Sequence, residues 1–180
     1  TVPHPSPMLS LDKVHAEGQL DPGLLKAWFD SVRAATGEDD PLVTAQVKFD
    51  GNALNLLYEN GRLEQALTRG DGGTGEDVTR QAEHLQGVPK EIPGTGNKTV
   101  EVRGEVVISK SLFDRRYSKH SDSGEKHPLT EGENCRNFVS GHMSASRKEV
   151  MPDVLKHFVF VAFEAREHSK DQWSWPPRWF

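Results

Sequence analysis

Residues 43–79 read VTAQVKFDGNALNLLYENGRLEQALTRGDGGTGEDVT, and the way this stretch divides decides the fold. Val43, Ala45, Val47 and Phe49 alternate with other residues, which predicts a half-buried strand with Gln46, Lys48 and Asp50 projecting from its opposite face. Asp50-Gly51 then turns the chain. Ala53, Leu54, Leu56, Leu57 and Tyr58 form a second apolar run, and the Asn60-Gly61 after it is a strong hairpin signal. Three consecutive antiparallel strands are expected.

The same stretch places an amide, an amine and a carboxylate together. A lysine becomes a nucleophile only when its amine loses the proton, which burial and nearby cations favour. Arg69 and Arg103 are the candidate cations. Asp50 is placed to orient the amine or to accept from a ribose hydroxyl, and Gly51 to let a phosphate approach the backbone. A bare K-x-D-G is more often a solvated edge-strand lysine before a turn, so Lys48 gains weight as a covalent nucleophile only from its surroundings.

Working outward, 180 residues suffice for one domain with a real core, and a single domain over residues 1–180 is expected. With 34% apolar and 27% charged residues, no apolar run approaches membrane-spanning length, and residues 1–7 carry no secretory pattern. Cys135 is the one cysteine, which excludes an internal disulfide framework and fits a reducing, cytoplasmic setting. Its eight histidines are scattered without zinc-site spacing, so no protein-held metal is assigned. A net charge of −5 argues against gripping nucleic acid by bulk electrostatics, and any DNA contact must be local.

Along the chain, Asp21-Pro22 opens a helix whose stripe of Leu24, Leu25, Trp28, Phe29 and Val32 ends before Gly37, with Trp28 and Phe29 expected in the core. In TRGDGGTGEDVTR, four glycines alternate with Arg69, Asp71 and Glu76, and Thr74 with Asp77 resembles a capping box for a helix to about Leu85. TVEVRGEVVI, residues 99–108, alternates as a strand with Arg103 and Glu105 on the face opposite Val102 and Val106. Residues 111–120 and 135–150 are expected to contain helices. LKHFVFVAFE, residues 155–164, is apolar at alternate and intervening positions, as a strand covered on both sides would be.

Taken in order, these motifs resemble the adenylation domain of NAD-dependent DNA ligases. PMLSLD, KFDG, TRGDGGTGEDVT, EVRGEV and NCRNFVSGHMS stand where that family has P-M-L-S-L-D, K-x-D-G, T-R-G-D-G-x-x-G-E-D-V-T, E-V-R-G-E-V and N-P-R-N-A-A-A-G-S-L-R. The resemblance covers residues 7–164. It implies an α+β fold of antiparallel sheets with flanking helices, the covalent nucleotidyltransferase fold with its C-terminal part missing. It further implies that Lys48 takes AMP from NAD with Mg²⁺ and passes it to the 5′-phosphate of nicked double-stranded DNA. Ser10, Leu11 and Gln46 match the adenine side, Asp50 and Gly51 the rest of the lysine motif, Arg69 and Glu76 the loop around nucleotide and lysine, Glu105 the ribose carboxylate, and Arg136 an arginine directed at phosphate.

The departures bear on that reading. Gln46 stands where the family has glutamate, Cys135 replaces a proline, Phe138-Val139-Ser140 replaces three alanines, and Ser144 replaces a second arginine, for which Arg147 is the candidate DNA contact. The nicotinamide-binding segment, the later nucleotidyltransferase motifs and the OB-fold are expected on a second ligase subunit or a removed portion, docking at Trp173, Trp175, Trp179 and Phe180. The alternative is a catalytically inactive nucleotide-binding or DNA-positioning subunit. An ATP-dependent ligase or capping-type enzyme is a lesser one.

Overall fold

The computed structural model describes residues 1–9, 15–16, 19–118, 134–146, 149–169 and 172–174. It divides into two compact units, one of Thr1–Met8 with Phe49–Phe180 and one of Leu9–Lys48.

The larger unit is built on a five-stranded antiparallel sheet. Its strands are β4 (Asn52–Glu59), β5 (Arg62–Thr68), β7 (Thr99–Val107), β8 (Val159–Ser169) and β9 (Gln172–Ser174), in the order β5-β4-β7-β8-β9. β4 and β5 meet at the expected turn, where Asn60 (φ 52°) and Gly61 (φ 82°) both take the left-handed conformation that lets a two-residue hairpin follow the sheet twist. The short strands β1 (Val2–Pro3) and β6 (Thr74–Gly75) pair separately, joining the N-terminal segment to the glycine turn.

Period-two alternation gives the sheet two different faces. Leu54, Leu56 and Tyr58 of β4, Val106 of β7 and Phe160 of β8 point into the apolar core. The helices α2 (Thr79–Ala82), α3 (Lys110–Arg116), α4 (Cys135–His142) and α5 (Pro152–Leu155) close it with Ala82, Phe113, Phe138, Val139, Val154 and Leu155. Phe138 is the hub of an aromatic cluster, with ring centroids 4.7 Å from Tyr117, 5.3 Å from Phe113 and 5.8 Å from Phe158. The α+β class of antiparallel sheets with flanking helices holds.

The smaller unit contains the hairpin β2 (His15–Ala16) and β3 (Gln19–Leu20) and the helix α1 (Pro22–Thr36). Asp21 caps α1 by accepting from the Gly23 and Leu24 amides, and Gly37 closes it in the left-handed conformation, as the sequence signals require.

Four expectations need correction. Residues 41–50 form no regular structure and most of their side chains are exposed, so Gln46, Lys48 and Asp50 do not share a strand face. Alternation sorts side chains to two sides, but a strand exists only where a neighbour takes up its backbone donors and acceptors, and no described strand pairs with 43–49. Trp28 and Phe29 are not core anchors: α1 buries no residue fully, and the two rings pack edge to face on each other at 4.9 Å. Thr74 and Asp77 form no capping box. Asp71 instead accepts from the Gly73 and Thr74 amides, Asp77 from the Thr79 amide and hydroxyl, and the helix begins only at Thr79. Finally, β8 starts at Val159, after α5 has taken Leu155, and Phe163 stays 45% exposed, so that strand is not covered on both sides.

Candidate active site

Four of the expected site residues meet others within the larger unit. Gly51 enters β4, where its amide donates to Glu105 Oε1 at 3.0 Å, joining the lysine motif to the central strand β7. The glycine is required there because an added Cβ would lie 2.0 Å from the Val106 carbonyl oxygen. That space is filled by the β7 backbone. Asp50 pairs with Arg136 at the start of α4, Arg136 NH1 to Asp50 Oδ1 at 3.5 Å, with both side chains well exposed.

The glycine turn holds Arg69 and Glu76. Asp71 organises it, and the Thr74 and Gly73 amides that donate to its carboxylate keep its pKa below the usual range. Arg69 Nε donates to the Met8 carbonyl at 3.3 Å. Glu76 Oε2 accepts from the Ala145 amide at 3.1 Å and from Ser144 Oγ at 3.5 Å, so the serine that replaces an expected arginine is a neutral partner of this carboxylate.

Lys48 and Gln46 end the smaller unit, exposed and outside regular structure. Ser10, Leu11, Arg147, Trp175, Trp179 and Phe180 lie outside the described residues, and Trp173 is described only as part of the β9 backbone.

Arg103 departs furthest from its reading. Expected as a candidate cation for the lysine, it is buried and bound to Glu101, which the motif reading passed over. Burial pushes the Glu101 carboxyl up, but Arg103, by hydrogen bond and charge, with Ser6 and His168, more than offsets this and holds it below its ordinary value. Asn55 Nδ2 donates to Glu101 Oε1 at 2.6 Å, and Glu164 Oε2 lies 3.8 Å from Arg103 NH1. The signal was present: Glu101 and Arg103 are two apart on one strand, and EAREH of residues 164–168 repeats the same parity of charge on the paired strand.

Cys135, also a departure from the family pattern, sits half-buried at the start of α4, and burial with the Asp114 charge pushes its thiol pKa up. That is the environment of a packing residue and not of a reactive thiolate.

The model of the NAD-dependent DNA ligase adenylation domain matches residues 1–174. A DNA ligase of Campylobacter concisus is 43% identical over 141 residues, covering 78% of this chain and 19% of that protein. A DNA ligase of Bifidobacterium animalis subsp. lactis is 38% identical over 89% of this chain, and one of Bifidobacterium longum 37% identical over 98%; the match spans 18% of each. The chain therefore spans about a fifth of the length of these curated relatives.

Proposed function

The chain belongs to the family of NAD-dependent DNA ligase adenylation domains, and from that premise we propose that Lys48 is the nucleophile that accepts AMP from NAD. The deprotonated amine attacks the α-phosphorus. An N–P bond forms, the P–O bond of the pyrophosphate breaks, and nicotinamide mononucleotide leaves with the electron pair. AMP then passes to the 5′-phosphate of a nick, and the 3′-hydroxyl displaces it to seal the strand. Nicked DNA and the remaining ligase regions, on the same or a second polypeptide, are the partners this reading requires.

The observation that carries it is the bond between two signatures, the Gly51 amide of the lysine motif on the Glu105 carboxylate of EVRGEV. A carboxylate anchored three residues along the chain from the nucleophile suits a ribose hydroxyl. Arg69 and Arg136 suit phosphate oxygens, whose developing charge they stabilise. Gln46 retains an amide oxygen to accept from the adenine amine, Ser10 and Leu11 complete the adenine side, Asp50 and Glu76 serve the lysine and its loop, and Arg147 is the DNA contact. Among the described residues no group of three or more His, Cys, Asp or Glu could hold a metal ion, so the Mg²⁺ expected in such chemistry finds no protein cage there and no step is assigned to it.

A second reading, a subunit that binds nucleotide or positions DNA without chemistry, is favoured by the neutral partners of Glu76. One experiment separates the two. Incubation with NAD, Mg²⁺ and the remaining ligase regions should add the mass of AMP to Lys48, and Lys48→Ala should abolish the adduct and any sealing. NAD bound without an adduct, in protein whose circular dichroism is intact, would leave the non-catalytic reading standing; labelling by ATP in place of NAD would move the chain to another nucleotide specificity.

A further inference from the structure

Glu101 and Arg103 have no role in the reaction above, yet Glu101 is fully buried and Arg103 is 5% exposed. Removing two charges from water is unfavourable unless their donors and acceptors are all employed. Arg103 employs its donors on a backbone. NH2 donates to the Ser6 carbonyl at 2.8 Å and NH1 to the Pro7 carbonyl at 3.0 Å, while Nε and NH2 donate to Glu101 Oε1 at 3.2 and 2.9 Å. Glu101 Oε2 accepts from Ser6 Oγ at 3.0 Å and faces His168 Nε2 at 3.1 Å. A planar guanidinium reaches two successive carbonyls at once, which a lysine ammonium does not do with fixed geometry.

The gripped segment is itself fastened to the glycine turn. The Met8 amide donates to the Gly72 carbonyl at 2.8 Å and the His4 amide to Gly73 at 2.9 Å, Val2 and Pro3 pair with Gly75 and Thr74, and Arg69 returns a bond to the Met8 carbonyl. In the sequence, Ser10 follows Met8 by two residues.

We infer that Arg103, held by Glu101, is a positioning residue for nucleotide binding. By gripping the Ser6 and Pro7 carbonyls it fixes the N-terminal strap against β7, and through the strap it sets the glycine turn that carries Arg69 and Glu76 before a nucleotide arrives. The inference rests on the proposed adenylation of Lys48. Preorganisation of this kind lowers the cost of binding and leaves the chemical step alone, so its loss acts on KM and not on kcat.

Two variants test it. R103K keeps the charge beside Glu101 but loses the fork; the double variant E101Q/R103M loses the grip without leaving a buried charge unpaired. Amide exchange at His4 and Met8 should quicken at least about tenfold in both, with the β4–β7 ladder unchanged. KM for NAD in Lys48 labelling should rise about tenfold while kcat stays within about threefold. Unchanged exchange at His4 and Met8 in both variants overturns the anchor. Faster exchange with an unchanged KM overturns the positioning role. Absence of labelling in the unsubstituted chain supplied with the remaining ligase regions overturns the adenylation reading and the nucleotide half of this inference with it, and the exchange data tell that failure apart from loss of the anchor.

Discussion

At the scale of single residues, the lysine motif has two demands on one glycine. The Gly51 amide must reach Glu105, and the Val106 carbonyl occupies the space where a side chain would begin. G51A should therefore push the start of β4 away from β7 and destabilise the larger unit by about 2–3 kcal/mol, as overpacked sites do. Urea denaturation measures this, and a change below about 0.5 kcal/mol would contradict the geometry. The sequence expectation for Gly51 was a close approach by phosphate; the close approach the structure shows is that of the Val106 carbonyl. A motif records that a Cβ is forbidden without recording what forbids it. Glu101 illustrates the converse: its identity was legible, but its burial depends on Ser6, Asn55 and His168, three residues remote in the chain.

At the scale of elements, local signals were reliable where the element satisfies its own backbone. α1 runs from Pro22 to Thr36 between an Asp cap and a glycine stop, both readable from adjacent residues. D21A should cost about 1 kcal/mol of helix stability by orphaning the Gly23 and Leu24 amides. Faster amide exchange confined to the first turn of α1, with the sheet of the larger unit unaffected, is the expected outcome; an unchanged first turn would show that the cap contributes nothing. The Asn60-Gly61 hairpin was equally legible, since both turn residues carry the positive φ themselves. Residues 43–49 were not. Their alternation is as regular as that of β7, but β7 has β4 and β8 beside it and 43–49 has no described neighbour.

At the scale of the whole molecule, the Glu101 cluster ties β4, β7 and β8 to the N-terminal strap through one carboxylate. Because the folded Glu101 pKa lies below its unfolded value, its contribution to stability is fully present above the ordinary carboxylate range near ~4.3. It is lost as pH falls through the lowered folded value. Denaturation followed from pH 7 downward should show stability falling steeply below about pH 4, and E101Q should flatten that limb while costing about 3 kcal/mol at pH 7 by leaving the buried Arg103 charge with only the more distant Glu164 carboxylate. An acid limb of the same slope in E101Q would place the titrating groups elsewhere. By itself the sequence determined the family, the α+β class, the central hairpin, the strand EVRGEV and α1, because ordered motifs, side-chain period and capping residues act over a few positions. Tertiary structure alone decided that Arg103 turns to Glu101, that Glu76 meets Ser144 and Ala145, and that Gly51 yields its space to Val106. Those choices depend on which strands lie side by side and on where water is excluded, and neither is a property of any short stretch of chain.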